Sequence, residues 1–324
     1  MKLFAMFASS LTLFLTVHAS PTRAQTFPDR PIKIIVPNPP GGGFDLSARV
    51  IADPLSRALG QPVVIENKSG SGTLVGSGFA SRSAPDGYTL LLGGTSNMAL
   101  NIGLYEKLPY DPIKDFRPIG LIVAWPFMLV SRKDLPQQTL AEIIENARMN
   151  PDKVNFATGG LGTGQHVAAA LLARSAGIKI NMVPYGSAQA AYPDLIGGRV
   201  DLFFDNASTA LPQVRGGAVR AFAVSSAKRY PVMPDLPSVQ ETGLAQLDME
   251  TWFGLFAPTG TPEPALLKLR AALRTARADP EVSKIFGASG GAINAMSVDE
   301  TDAYVKREAE RWNALLREAG ITAQ

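Results

Sequence analysis

The chain has 324 residues, no cysteine and a formal net charge of +3. Without cysteine it forms no disulfides and no thiolate metal sites, and a chain this long exceeds what one modest core usually organises, so we expect two domains. Leaving out Lys2 and Arg23, which belong to a leader, 29 basic residues face 28 acidic ones. This balance excludes the strongly basic class of nucleic-acid-binding proteins.

The first 24 residues have the pattern of a secretory leader. Lys2 precedes an apolar run over 3–17, and small residues follow at Ala19 and Ala24. The run is shorter than the roughly 20 residues of a membrane-spanning helix. We therefore expect a signal peptide over 1–24, cleaved after Ala24 or, as second choice, after Ala19, and a periplasmic mature protein.

The mature chain opens with a strand, a glycine-rich loop and a helix. Apolar residues over 32–36 predict a buried strand, which the prolines at 37, 39 and 40 end. Gly41, Gly42 and Gly43 follow, and Asp45 opens a helix with apolar residues at helical spacing. Free N–H groups at the helix start suit a small anion, although a tight turn without a ligand has the same pattern.

The rest of the chain alternates strands and helices. Strands are predicted at 62–66, 89–92, 121–130, 154–157, 180–183, 200–204, 218–225 and 251–257, and helices at 73–83, 139–149, 187–196, 262–278 and 298–319, with two more starting near 166 and 205. Thr139 and Glu142 form a capping box. Repeated strand–helix units indicate parallel sheets covered by helices on both faces, where ligands bind at the carboxyl ends of strands.

Four loops at these carboxyl ends contain no lysine or arginine. They span 37–44, 93–97, 157–165 and 184–187. Backbone N–H groups, helix starts, hydroxyl groups, amides and water would hold an anion there. The side chains that could contribute are Thr95, Ser96, Asn97, Thr158, Thr163, Gln165 and Ser187. Two lobes facing each other across a cleft would bring the loops together.

Three polar residues and several aromatic ones have alternative roles. Asp45 and Asp205 are either helix N-caps or cleft groups that accept hydrogen bonds from a ligand. His166 is a packed or capping residue more often than a ligand contact. The aromatic side chains that could form an apolar pocket wall are Phe44, Trp125, Phe204 and Trp252. Phe204, like Phe253 and Phe256, fits the core better, and the two tryptophans fit interdomain crossings.

Common catalytic signatures do not occur in the sequence. His166 is the single histidine after the leader, so most histidine metal sites are excluded. No Gly-x-Ser-x-Gly elbow follows a strand, and the dinucleotide spacing after Gly41 fails at Leu46. We expect no cofactor, no metal and no enzymatic activity.

Several long motifs occur in an order that resembles one family, the extracytoplasmic receptors of tripartite tricarboxylate transporters, or Bug proteins. They are Pro37-x-Pro-Pro-Gly-Gly-Gly-x-Asp45, Ala58-Leu-Gly-Gln-Pro-Val-Val-Ile-Glu-Asn67, Ala84-Pro-Asp-Gly-Tyr-Thr-Leu90, Leu108-Pro-Tyr-Asp-Pro112, Val183-Pro-Tyr-Gly186, Phe204-Asp-Asn206 and Trp252-Phe-Gly-Leu-Phe-Ala-Pro-x-Gly-Thr-Pro262. The resemblance covers almost all of the mature chain.

The resemblance implies an α/β periplasmic-binding-protein fold of type II, with two doubly wound lobes joined by a two-strand hinge. We place lobe 1 at 25–124 and 252–324 and lobe 2 at 125–251. A ligand carboxylate would lie between the 39–45 and 158–166 loops, held largely by backbone groups and water, and Asp205 aligns with an acidic residue that helps set ligand choice.

Three departures from the family pattern affect the expected ligand. Tyr185 runs directly into Gly186 where a lysine is frequent, and Thr163-Gly-Gln165 stands where Ser-Ser-Pro is common. Phe44 replaces a small or polar residue and favours an aromatic or apolar-bodied carboxylate. The predicted ligand-binding residues are Pro40, Gly41, Gly42, Gly43, Phe44, Asp45, Thr95, Ser96, Asn97, Thr158, Gly159, Gly160, Thr163, Gly164, Gln165, His166, Tyr185, Gly186 and Asp205.

The resulting functional hypothesis is a periplasmic solute-binding receptor. It would capture a small carboxylate, a dicarboxylate or aromatic one included, and deliver it to the integral-membrane permease subunits of the transporter. We expect a monomer that binds no nucleic acid. The alternatives are a periplasmic hydrolase that uses His166 and Asp205, and a ligand sensor that feeds a two-component kinase.

Overall fold

A computed structural model describes residues 27–323 of the chain. The predicted leader lies outside this range. The strands are β1 (Ile32–Val36), β2 (Val63–Asn67), β3 (Thr89–Gly94), β4 (Phe116–Arg132), β5 (Asn155–Thr158), β6 (Asn181–Pro184), β7 (Leu202–Asn206), β8 (Val219–Val224), β9 (Glu250–Pro258) and β10 (Ala292–Ile293). The helices are α1 (Gly43–Leu59), α2 (Leu74–Ser81), α3 (Asn101–Leu104), α4 (Leu140–Met149), α5 (Gly164–Ala176), α6 (Ala188–Ile196), α7 (Ala207–Arg215), α8 (Glu263–Arg277), α9 (Pro280–Ala288) and α10 (Val298–Ala319).

The long strand β4 joins two lobes. Its residues 116–126 pair with β9, and its residues 127–131 pair with β7. It also pairs with β10 at 123–124 and with β8 at 128–132. The strand order is β2-β1-β3-β9-β4-β7-β5-β6, with β8 and β10 beside β4. The first lobe is the part built on β1, β2, β3, β9 and β10, and the second is the part built on β5 to β8.

The prediction of parallel sheets is correct for only part of each lobe. β1 pairs in parallel with β2 and β3, and β5 pairs in parallel with β6 and β7. β4 and β9 pair antiparallel with each other and with their other neighbours. β4 leads from the first lobe to the second and β9 leads back, so the two strands must run in opposite directions. The lobe boundaries at 124/125 and 251/252 stay predictions.

Helix starts differ from the sequence prediction at both aspartates. Gly42 is the N-cap of α1, so Asp45 is the third residue of the helix. Asn206 is the N-cap of α7, so Asp205 is still part of β7. The N-cap alternative is therefore wrong for Asp45 and for Asp205, because Gly42 and Asn206 occupy the N-cap positions of the two helices.

The capping box of α4 is only half correct. Thr139 is the N-cap, and its hydroxyl group accepts a hydrogen bond from the backbone N–H of Glu142 at 3.2 Å. The Glu142 carboxylate accepts from the N–H of Gln138 at 2.7 Å, one residue earlier than a reciprocal box requires. The backbone N–H groups of Gln138 and Glu142 at this helix start therefore both have a side-chain acceptor.

Aromatic side chains fill the crossing between the lobes. Trp125 on β4 is fully buried and packs edge-on against Phe253 and Phe286, with ring centroids 5.9 and 5.5 Å apart. Trp252 on β9 is also buried and packs against Tyr304 of α10 at 5.8 Å. The expected place of both tryptophans at the crossing strands is confirmed.

The core interpretation of Phe204 and Phe256 is also correct. Phe204 is fully buried and stacks on Phe156 inside the second lobe, with ring centroids 5.9 Å apart. Phe256 is buried in the first lobe. Neither helix lengths nor apolar runs within residues 27–323 allow a membrane-spanning helix.

Candidate ligand-binding cleft

Four helices begin at a cleft between the two lobes. Gly42, Gly43 and Phe44 at the start of α1 face residues at the starts of three helices of the second lobe. Those residues are Thr163, Gly164 and Gln165 of α5, Ser187 and Ala188 of α6, and Asn206 and Thr209 of α7. The enclosed cavity has a volume of about 50 Å³. Because each helix start carries a partial positive charge, the four together favour an anion.

The start of α1 differs from the other three because no side chain caps it. Thr163 caps α5, Ser187 caps α6 and Asn206 caps α7, each by accepting a hydrogen bond from a first-turn N–H. The N-cap of α1 is Gly42, which has no side chain to accept such a bond. The first-turn N–H groups of α1 are therefore open to an external acceptor.

Asp45 lies behind this opening and shapes it. It is buried, and its carboxylate accepts hydrogen bonds from the Gly41 N–H at 3.0 Å and from Asn67 Nδ2 at 3.1 Å. Arg49 Nε donates to the same carboxylate at 2.7 Å. Burial acts to raise the pKa of Asp45, but the hydrogen bonds from Arg49, Gly41 and Asn67 outweigh it and lower the pKa. Asp45 therefore fixes the glycine loop and does not line the cavity.

Asp205 lies at the opposite side of the cavity and is its single charged lining residue within 27–323. It is fully buried and accepts hydrogen bonds from Tyr192 Oη at 2.8 Å, Thr209 Oγ1 at 2.5 Å and the Asn206 N–H at 2.8 Å. Burial raises the pKa of Asp205 to about 6, against the effect of these hydrogen bonds. Near neutral pH this carboxyl group can therefore exchange a proton.

Three phenylalanine rings form the apolar part of the cavity wall. They belong to Phe44, Phe127 and Phe253. Phe44 and Phe253 pack edge to face, with ring centroids 4.7 Å apart. A small polar cavity with one phenyl wall suits a ligand that has a charged end and a carbon skeleton. The expectation that Phe253 belongs only to the core is therefore incomplete.

Ten of the predicted residues line the cavity itself. They are Gly42, Gly43, Phe44, Ser96, Gly159, Thr163, Gly164, Gln165, Gly186 and Asp205. Gly160 and Tyr185 line an adjoining cavity of about 730 Å³ at the mouth of the cleft. The lining residues outside the predicted set are Asn38, Pro39, Phe127, Ser187, Ala188, Asn206, Thr209, Thr251 and Phe253. Thr209 could have been found, since it lies four residues after Asp205 on a predicted helix.

The remaining predicted residues lie outside both linings. They are Pro40, Gly41, Asp45, Thr95, Asn97, Thr158 and His166. Thr95 links the end of β3 to β9, because its hydroxyl oxygen accepts a hydrogen bond from the Trp252 N–H at 2.9 Å. Asn97 accepts from the Gly94 N–H at 2.8 Å and donates to Ser77 Oγ at 3.0 Å. These side chains hold the loops that carry the lining residues.

His166 has none of the partners of a catalytic base. It is buried in α5, and burial lowers the pKa of its imidazole. Its Nδ1 has no hydrogen-bond partner among the described residues. The carboxylate oxygens of Asp205 accept hydrogen bonds from Tyr192, Thr209 and Asn206, and none from His166. Within residues 27–323 no group of three or more histidine and acidic side chains could hold a metal ion.

Direct contacts close the cleft in this conformation. Gln189 Nε2 of α6 donates a hydrogen bond to the Gly41 carbonyl oxygen across the cleft. At the mouth, Gly72 of the first lobe approaches Leu161 of the second so closely that a Cβ atom on Gly72 would lie 2.3 Å from the Leu161 carbonyl oxygen. The two loops that the sequence places on opposite lobes therefore face each other across a crevice.

Comparison with curated proteins gives full-length relatives. The chain is 36% identical over 313 residues to a UPF0065 protein in the tcbD-tcbE intergenic region of Pseudomonas sp. (strain P51), covering 95% of this chain and 93% of the relative. It is 35% identical over 303 residues to protein BugT of Bordetella pertussis, covering 93% of each chain.

Solved structures show the same architecture. The periplasmic binding protein BugD matches with a TM-score of 0.87 and 34% identity, over 92% of this chain and all of BugD. MatC of Rhodopseudomonas palustris with bound malate matches with a TM-score of 0.85 and 33% identity, over 90% of this chain and 100% of MatC. An R. palustris protein with adipate matches with a TM-score of 0.86 and 31% identity, over 91% of this chain and 99% of that protein.

The fold predicted from sequence, two α/β lobes of a periplasmic binding protein, is confirmed by these structures. The family model of the tripartite tricarboxylate transporter family receptor, TctC, matches residues 47–321. This range contains the second lobe with its three helix starts at the cleft, and the first lobe except β1 and the start of α1. The chain therefore belongs to the tripartite tricarboxylate transporter receptor family, whose members include the Bug proteins, and is a solute-binding receptor.

Proposed function

We propose that this receptor captures a small carboxylate in the periplasm and delivers it to the membrane permease of a tripartite transporter. One observation carries the ligand class: the start of α1 is uncapped and opens into a cleft without lysine or arginine in its lining. A carboxylate is a two-oxygen acceptor that matches free backbone N–H groups and a helix start. The malate and adipate bound to two relatives support the same class.

The ligand's carboxylate would lie at Gly42 and Gly43, and its other end would point toward Asp205. The carbon skeleton would contact the phenyl wall formed by Phe44, Phe127 and Phe253. Because the lining near Asp205 offers Gln165 and Thr209 but no cation, the far end would be a hydrogen-bond donor or an apolar group when Asp205 is ionised. Proton uptake by Asp205 would let the same cleft take a second carboxylate.

The test compares acids with their uncharged amides. Titration calorimetry would use malate, adipate, benzoate and phenylacetate against malamide, adipamide, benzamide and phenylacetamide. We expect at least one acid to bind and its amide to bind at least about tenfold more weakly, as the loss of a charge-assisted hydrogen bond predicts. Equal binding of acid and amide in every pair would contradict the carboxylate proposal.

Mass spectrometry of denatured protein separates the receptor from the hydrolase alternative. A receptor would release the acid unchanged after long incubation, since His166 lies outside the cavity lining and lacks a side-chain partner in the described part of the chain. Turnover of an ester or amide that disappears in His166→Ala would instead support the hydrolase.

Delivery to a permease needs a measurement in cells. Deleting the gene should abolish uptake of the acid identified above, and a copy carrying the intact gene should restore it. If uptake persists while transcription of a neighbouring operon loses its response to that acid, the protein serves a sensor kinase and the transport proposal is wrong.

A further inference from the structure

A second cavity lies at the crossing between the lobes, apart from the ligand-binding cleft. It has a volume of about 620 Å³ and shares no lining residue with the cleft. It opens beside β4 where that strand leaves its pairing with β10 at Ala124 and takes up pairing with β8 at Met128. A volume of this size is typical of small-molecule sites.

Both lobes contribute walls to this crossover cavity. The first lobe supplies the end of α9 and β10 through Gly287, Gly290, Gly291 and Ala292. The second lobe supplies the segment after β8, residues 226–232. The apolar and aromatic lining residues are Trp125, Pro126, Tyr230, Pro231 and Val232. An occupant would therefore touch both lobes and the strand that joins them.

Some of the charged side chains that line this cavity have an ion-pair partner and others do not. Arg229 Nε forms an ion pair with Glu241 Oε2 at 3.0 Å, and Arg229 Nη1 donates a hydrogen bond to the Pro234 carbonyl oxygen at 3.0 Å. Asp248 lies 3.7 Å from Arg311. Glu250 lines the cavity, and its carboxylate has no ion pair or hydrogen-bond donor among residues 27–323. Lys228 also lines the cavity and has no ion pair among residues 27–323, but the charges that act on Glu250 are those of two acids, Asp248 and Glu308.

Neighbouring carboxylates add negative charge around Glu250. Partial burial raises the pKa of Glu250, and the negative charges of Asp248 and Glu308 raise it further. A bound cation would remove this repulsion, whereas a second anion would add to it. Tyr230 also lines the cavity, and an aromatic ring packs favourably with a cation or with an aromatic body.

We propose that the crossover cavity is a second ligand site, which takes a small organic cation with an aromatic or apolar body. Its ammonium group would pair with Glu250, and its body would pack between Tyr230, Val232 and Pro126. Because its walls come from both lobes, a bound ligand would stabilise the relative position of the lobes seen in this structure.

The test uses three probes that share one aromatic body: 2-phenylethylamine, 2-phenylethanol and phenylacetate. Titration calorimetry on the full mature chain should show saturable binding of the amine, at least about tenfold tighter than the alcohol, since only the amine makes a charge-assisted bond. Absence of saturable amine binding, or equal binding of amine and alcohol, would overturn the proposal.

Two variants locate the amine. Glu250→Gln keeps the shape of the side chain and should weaken amine binding at least about tenfold, while Glu318→Gln, the same change on the exposed face of α10, should not. Gly287→Leu should block the cavity without disturbing the core, because a Cβ atom on Gly287 meets no atom within 4 Å. Unchanged amine binding in both Glu250→Gln and Gly287→Leu would overturn the proposal.

A third variant separates this site from the cleft, which also contains an acid. Asp205→Asn removes the charge of the cleft and should leave amine binding unchanged. Loss of amine binding in Asp205→Asn, with binding retained in Glu250→Gln, would place the amine in the cleft and refute the second site.

Discussion

Asp45 and Asp205 show how two buried carboxyl groups of one receptor acquire opposite acidities. Asp45 accepts from Arg49, Gly41 and Asn67, and these bonds lower its pKa in spite of burial. Asp205 accepts from two hydroxyl groups and one N–H without a nearby cation, so burial prevails and raises its pKa to about 6. The two residues should therefore change stability with pH in opposite directions.

For Asp205, stability should fall as the pH rises. Its folded pKa lies above the ordinary value of 3.8, so its contribution is fully present below about pH 4 and is lost as the pH rises to about 6. Urea unfolding at pH 4 and pH 7 should show Asp205→Asn gaining up to about 3 kcal/mol relative to wild type over this interval. The exposed Asp235→Asn should show no such change. Parallel curves for wild type and Asp205→Asn would contradict the buried-acid assignment.

For Asp45, stability should instead fall as the pH drops. Its folded pKa lies below the ordinary value, so its contribution is present above about pH 4 and is lost as the pH falls through the folded pKa. Asp45→Asn should cost about 1.5–3 kcal/mol at pH 7, the usual value of a charged hydrogen bond, and less at pH 3. The comparison is urea unfolding of Asp45→Asn with Asp53→Asn, an exposed site on the same helix. A larger cost at pH 3 than at pH 7 would refute this role.

At the scale of an element, the uncapped start of α1 is the feature that links stability to binding. A side-chain cap there would satisfy the same N–H groups that a ligand carboxylate uses. Gly42→Asp should therefore raise the stability of the ligand-free protein by a few tenths of a kcal/mol while weakening binding of the identified acid at least about tenfold. Thermal unfolding and calorimetry of the same preparation measure the two effects.

Gly42→Ala is the matched control for this prediction. It adds a methyl group where no atom lies within 4 Å, but it supplies no acceptor. We expect it to retain binding and to change stability by only a few tenths of a kcal/mol. If Gly42→Asp binds the acid as tightly as Gly42→Ala does, the α1 start is not the carboxylate site.

For the whole molecule, closure of the cleft depends on direct contacts between the lobes. The bond from Gln189 to the Gly41 carbonyl oxygen spans the cleft, and Gln189 lies on α6, away from the core of either lobe. Gln189→Ala should weaken ligand affinity by about 2- to 10-fold, as the loss of one hydrogen bond predicts. The unfolding temperature of the ligand-free protein should not change, because alanine is a good helix former.

Calorimetry of Gln189→Ala beside Gln213→Ala tests this prediction. Gln213 lies on α7 of the same lobe and does not line the cleft. Small-angle scattering adds a direct readout, since the ligand should compact the wild-type protein more completely than Gln189→Ala. Equal affinity of the two variants would show that the contact contributes nothing to closure.

Local patterns along the chain predict the strand–helix units and the loops of this receptor. Strand runs, glycines at 41–43 and helix-start residues such as Thr163 and Ser187 act through neighbours a few residues away, so their pattern can be read along the chain. The same local signals predicted ten of the cavity-lining residues. Long motifs in family order predicted the family that the comparisons then showed.

The identity of the side chains that face the cavity, and the charge that they carry, depend on contacts between distant parts of the chain. Phe127 lies on β4 and Thr251 on β9. Whether their side chains face the cavity depends on how these two strands cross between the lobes. The acidity of Asp45 depends in part on Asn67, 22 residues away, and that of Asp205 in part on Tyr192 of helix α6. Such partners are brought together by packing between elements, which no local sequence pattern records.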